Sequence, residues 1–148
     1  MTLSIHSDEH YMREALKQAL LAKEEGEIPV GAVVVANNRI IARAYNQVEK
    51  LNDPTAHAEM LALTAAANYL GTKYLSDCSL YVTLEPCGMC AGALYWGQLG
   101  KLVYAAADDK RGYTILNPKL IHPRTEVVRG PFAGEAGALV VDFFKNLR

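Results

Sequence analysis

The chain has 148 residues, 51% of them hydrophobic and 21% charged, and a net charge of −1. These values exclude a disordered chain and fit one globular domain, residues 1–148, with length enough for a single buried core. No apolar run approaches the ~18 residues a membrane helix needs, and MTLSIHSDEH has neither the basic segment nor the apolar core of a leader, so a cytoplasmic protein without membrane contact is expected.

Between Ser7 and about Glu25, Met12, Ala15, Leu16, Ala19 and Leu20 recur at helical spacing. Asp8 and Glu9 stand in the first turn and Gly26 is a stop, which predicts an amphipathic helix. Residues 30–36 and 39–46 flank Asn37-Asn38 and read as a β-hairpin, because asparagine tolerates positive φ in a tight turn. The first of these strands is almost wholly apolar, so both its faces should be covered. Asn52-Asp53-Pro54-Thr55 is a turn leading into a nearly all-apolar helix, residues 58–70, expected to be buried and to end at Gly71. Residues 79–84 form a strand that runs into Pro86-Cys87-Gly88-Met89-Cys90. Proline there is suited to open a helix reaching about Gln98. A strand over 101–106, a functional loop over 107–123 with room for a short helix, a strand over 125–129 and a helix over 134–147 complete the chain. That order predicts a three-layer α/β/α domain around a central mixed five-stranded sheet, with a ligand crevice where strands run into helix N-termini.

Charge is unevenly spread. Residues 1–100 hold 7 Lys+Arg against 11 Asp+Glu, and residues 101–148 hold 8 against 5. A last third at +3 can meet phosphates, although so small an excess more often marks solvated surface. Tyr95 and Trp96, on the helix after the cysteines, could stack on bases but are assigned to core or dimer contacts.

Three cysteines do not make a disulfide framework, and Cys87 and Cys90 in C-x-x-C point to metal or redox chemistry. Cys78 is expected in the core. Three positions apart at a helix start, Cys87 and Cys90 can direct both thiolates at one ion, where the positive helix end favours the ionised form. His57-Ala58-Glu59 opens the other predicted helix, so two helix N-termini meet. His57, Cys87 and Cys90 then read as three ligands of one Zn2+, with the fourth position left to water, as in catalytic rather than structural zinc sites. Glu59, one position off the ligand, is placed to carry a proton and not to bind the metal. Two other readings stay open here: a thioredoxin-like redox pair, and a structural zinc completed by His122 or Cys78.

H-x-E followed by P-C-x-x-C is a signature of zinc-dependent nucleobase deaminases. The likeness goes further. Residues 52–59 and 83–93, together with 28–33, Tyr45-Asn46 and Asp108, Lys110 and Gly112, resemble the bacterial tRNA-specific adenosine deaminases of the TadA type, in the cytidine/deoxycytidylate deaminase superfamily. The resemblance implies a cytidine-deaminase-like fold, a homodimer, and conversion of adenosine to inosine at the wobble position of a tRNA anticodon loop. It also implies that Asn46 orients the base, that Ile28, Pro29 and Val30 line the pocket, and that Ala58, Pro86, Asp108 and Lys110 belong to the substrate-binding set. The chain departs from the family pattern at Tyr113-Thr114-Ile115-Leu116-Asn117, at residues 95–99 and at residues 135–138, all outside the zinc motifs. The alternatives are a deaminase of free cytosine, cytidine or guanine, and a non-catalytic zinc-containing RNA-binding or partner subunit.

Overall fold

A computed structural model of the protein describes residues 6–147. Residues 1–5, part of the stretch read for a leader, lie outside the described residues. Five strands, β1 (Gly31–Ala36), β2 (Arg39–Tyr45), β3 (Ser79–Leu84), β4 (Lys101–Ala106) and β5 (Glu126–Arg129), form one mixed sheet in the order β2-β1-β3-β4-β5. β1 is antiparallel to β2 and β3, whereas β3, β4 and β5 run parallel. Helices α1 (Asp8–Glu24) and α6 (Ala133–Lys145) cover one face, and α3 (Ala58–Leu70) and α4 (Gly88–Trp96) cover the other. Two short helices, α2 (Val48–Leu51) and α5 (Tyr113–Leu116), lie in the connections. The three layers and the five strands are those the sequence predicts.

Period-two alternation divides the core. Val33, Val35, Tyr81, Val103 and Ala105 pack with Tyr11, Met12, Ala15 and Ala136 on the α1/α6 side. Ala32, Val34, Leu80, Val82, Leu102 and Tyr104 pack with Ala58, Ala62, Ala91 and Leu94 on the α3/α4 side. All six residues of β1 are buried, as the apolar run requires. Its approach to α1 is so close that a Cβ at Gly31 would lie 2.1 Å from the Ala15 carbonyl oxygen. The hairpin turn is type I′, with Asn37 and Asn38 at φ 50° and 62°.

Several expectations are corrected. Leu20 is exposed, and the core-facing stripe of α1 runs instead through Tyr11, Met12, Ala15, Ala19 and Ala22. α3 buries only Ala58, Glu59, Ala62 and Ala66, because its apolar composition is spread round the helix while the sheet covers one side. Pro86 does not open α4: Cys87 is the N-cap and the proline precedes it. α4 stops at Trp96, and Gln98 takes a left-handed φ of 52° in the turn that follows. Trp96 is 79% exposed and no part of the core, while Tyr95 rests against the His122 ring with centroids 5.1 Å apart. Residues 107–123 hold α5 and a 3₁₀ turn, Pro118–Leu120, and α2 is an element the periodicity did not reveal. Cys78 is buried in the core, as expected.

Candidate metal centre

β3 delivers the chain to Cys87, the N-cap of α4, and the turn after α2 delivers it to His57, the N-cap of α3. The His57 side chain makes no capping hydrogen bond to α3, and within α4 the Cys87 sulfur hydrogen-bonds Cys90. Both turn toward the space between the two helix ends. His57 Nδ1 lies 3.7 Å from Cys87 Sγ and 3.5 Å from Cys90 Sγ. Among the described residues these three are the only His, Cys, Asp or Glu cluster whose ligand atoms all fall within 4.8 Å of one another. Zinc at ordinary Zn–N and Zn–S bond lengths and tetrahedral angles sets N···S separations of about 3.6 Å, so the donor set fits zinc in both chemistry and size.

The electrostatics agree. Hydrogen bonding from the Cys90 thiol, aided by His57, pushes the Cys87 thiol down to about 4 against the opposing effect of burial. The Cys87 thiolate, followed by burial, pushes Cys90 up. The hydrogen bond to Cys87 raises His57. Two sulfurs and an imidazole therefore compete for protons across less than 4 Å, a competition that a divalent cation relieves. Glu59, in the first turn of α3, is 4% exposed, and burial pushes its carboxyl up to about 7, outweighing the lowering effect of His57. Its carboxyl lies against the Cys90 thiol.

The other donors proposed for a closed site are elsewhere. Cys78 lies in the core below the start of β3, and His122 Nδ1 accepts from the Arg124 N–H at 3.1 Å. No fourth protein ligand joins the cluster among the described residues, which leaves one coordination position open.

Residues 5–106 match the family model of the cytidine and deoxycytidylate deaminase zinc-binding region. The chain belongs to this deaminase family. It is 46% identical over 145 residues to the tRNA-specific adenosine deaminase of Aquifex aeolicus, covering 95% of each chain. A solved structure from studies of A-to-I editing by tRNA:A34 deaminases superposes with a TM-score of 0.82 at 39% identity, covering 88% of this chain and 99% of the other. The guanine deaminase of Nitrosomonas europaea superposes with a TM-score of 0.78 at 27% identity, covering 97% and 86%.

The deaminase's remaining predicted residues fall into two groups. Asn46 is buried, and its Oδ1 accepts from the Ala58 N–H at 2.7 Å, which orients the side-chain amide and sets its N–H₂ as the donor end. Backbone bonds from Asn46 N–H to Val30 and from Gln47 N–H to Ala56 tie residues 28–30 to the start of α3. Pro29, Val30 and Pro86 are buried and Ile28 is partly so. Asp108 and Lys110 are not drawn into the metal cluster. Asp108 Oδ1 accepts from the N–H groups of Lys110 and Arg111, both at 3.0 Å, so one carboxylate oxygen closes its own loop, and Lys110 is exposed.

Sequence reasoning passed over two buried carboxylates in this deaminase. Glu27 accepts from the N–H groups of Glu49 at 3.1 Å and Lys50 at 2.8 Å, holding α2 beside residues 28–30. Glu85 binds the loop after β4. The available signal was a lone carboxylate inside an apolar run, as in Leu84-Glu85-Pro86. Their donors lie 22 to 29 residues away in the chain, beyond the reach of local pattern.

Proposed function

We propose that the protein deaminates adenosine to inosine hydrolytically at the wobble position of a tRNA anticodon loop. The observation that carries the chemistry is the convergence of His57, Cys87 and Cys90 beside the buried carboxyl of Glu59. When bound there, zinc supplies Lewis acidity that lowers the pKa of a water to about 7. Glu59 takes one proton from the attacking water and gives it to the purine N1 as the water oxygen bonds C6, then takes the second and gives it to the amine, so that the C6–N bond breaks and ammonia leaves. Asn46 directs its amide hydrogens at an acceptor on the base, since its oxygen is engaged by Ala58. Ile28, Pro29 and Val30 give the base an apolar wall, with Ala58 and Pro86 beside the two N-caps and Asp108 and Lys110 on the outer loop. A base must leave its stack to enter such a site, which suits a single-stranded loop. The 46% identity to the Aquifex aeolicus tRNA-specific adenosine deaminase over 95% of both chains supports tRNA as the substrate.

One working domain over residues 1–148 and a homodimer complete this reading, the latter supported by large apolar side chains left exposed on α3, α4 and α5. A tRNA substrate and three free cysteines suit a reducing cytoplasm. The likeness to a guanine deaminase favours one rival, a deaminase of free bases. Purified protein incubated with unmodified tRNA, and separately with guanine, cytosine, cytidine and adenosine, separates the two. Inosine at the wobble position, found by mass spectrometry, is expected. Ammonia released only from a free base overturns the tRNA reading, full activity of Glu59→Ala overturns the proton-shuttle mechanism, and no activity on any of these substrates favours a non-catalytic zinc protein.

A further inference from the structure

Glu85 carries a charge into the interior without a cation to balance it. It is 4% exposed, and among the described residues it takes part in no ion pair. A buried carboxylate is costly unless hydrogen bonds replace its water. Three bonds do so here, and all come from one loop. Oε1 accepts from the Asp108 N–H at 3.1 Å, and Oε2 accepts from the Thr114 N–H at 3.1 Å and the Thr114 hydroxyl at 2.6 Å.

The backbone on either side of Glu85 extends the same seam. Its own N–H donates to the Ala106 carbonyl at 2.8 Å, and the Pro86 carbonyl accepts from the Tyr113 N–H at 2.9 Å. Cys87 forms a β-bridge with Gly112. A Cβ at Gly112 would sit 2.3 Å from Glu85 Oε2 and 2.6 Å from the Asp108 carbonyl oxygen, so the loop can lie this close only with glycine there. The loop is closed from within by Asp108 Oδ1 on the N–H groups of Lys110 and Arg111, whose side chains are exposed.

We infer that Glu85 is a positioning residue for substrate: its carboxylate holds the loop from Asp108 to Thr114 against the segment that ends in Cys87, and so fixes where Lys110 and Arg111 stand relative to the metal centre. Glu85 neither ligates the metal nor carries the proton. The cluster of ligand atoms excludes it, and the bonds of its carboxylate run to Asp108 and Thr114 rather than to the site. An RNA that docks its phosphates on this loop would meet two cations at a set distance from the reacting base, which no amount of loop charge alone would provide. This rests on the tRNA reading above.

The test is Glu85→Gln, which keeps shape but aims an amide N–H₂ where the loop presents donors. In the zinc-loaded protein, KM for an anticodon stem-loop RNA is expected to rise at least tenfold with kcat held within threefold and zinc content unchanged. Hydrogen exchange at the Asp108 and Thr114 amides should quicken at least tenfold, with the α3 and α4 amides unaffected. Thr114→Val, which removes one of the three donors, should shift KM the same way by less, and the double variant should be no worse than Glu85→Gln alone. A fall in kcat at constant KM, a loss of zinc, or unchanged exchange at both amides overturns the assignment. Should wild-type protein leave the stem-loop unchanged, the tRNA reading fails, and the exchange measurement still decides whether Glu85 holds the loop.

Discussion

Glu59 is the residue at which burial and chemistry meet most directly. Desolvation holds its carboxyl up to about 7 against an ordinary value of 4.5. The folded state then binds more protons than the unfolded state between those values, so this group's contribution to stability falls as pH rises from 4.5 to 7 and stays low above it. The expected loss is about 3 kcal/mol in protein stripped of metal by a chelator. Denaturant unfolding of wild type and Glu59→Gln at about pH 4 and about pH 8 checks it. The glutamine variant should gain on wild type by roughly that amount at the higher pH, and a difference that does not vary with pH would mean that Glu59 ionises normally. Turnover by Glu59→Gln should fall by about 10²–10⁴-fold, the usual loss for a general acid–base group. A second residue-scale expectation concerns the metal. Cys90→Ala, which deletes the most buried ligand, should leave no stoichiometric zinc by elemental analysis, whereas Cys78→Ala should retain it at some cost in stability.

At the scale of elements, the hairpin shows why some local structure is legible in sequence. Asn37-Asn38 between two apolar runs predicts a tight turn, and both residues take the left-handed φ that a type I′ turn demands. Replacing Asn38 by valine puts a β-branched side chain at φ 62° and should cost about 1–2 kcal/mol, read as a lower denaturant midpoint at constant m, while glycine there should cost little. Strands β1, β3 and β4 were equally readable, because near-continuous apolar runs of six residues suit a sheet covered on both faces. α2 was not. Four residues carry no measurable period, and the Glu27 carboxylate supplies acceptors for two of its N–H groups from 22 and 23 residues away. Apolar content also misled for α3 and for Trp96, since composition reports how much could be buried and not whether a neighbour is there to cover it.

For the whole molecule, the metal centre was legible because its ligands come in two short motifs at helix starts, where spacing alone restricts what the side chains can reach. The supports behind it were not, since Glu27 and Glu85 bind backbone groups that only the completed fold brings near. What composition leaves unexplained is the outer side of the α3/α4 layer, where Tyr69, Trp96, Ile115 and Leu116 are exposed on three adjoining helices. A stable interface buries about 800 Å² from each partner, and at about 150–250 Å² for each buried aromatic Tyr69 and Trp96 can supply roughly half of it, with Ile115 and Leu116 adding to the same surface. The proposed homodimer therefore has a specific test in sedimentation equilibrium. Wild type should run at twice the chain mass, and Trp96→Glu, which places a charge in the middle of that surface while touching no core residue, should shift the protein toward monomer with its zinc intact. A wild-type protein that stays monomeric at micromolar concentration would remove the homodimer. Unchanged association of Trp96→Glu would place the contact on another face of the molecule.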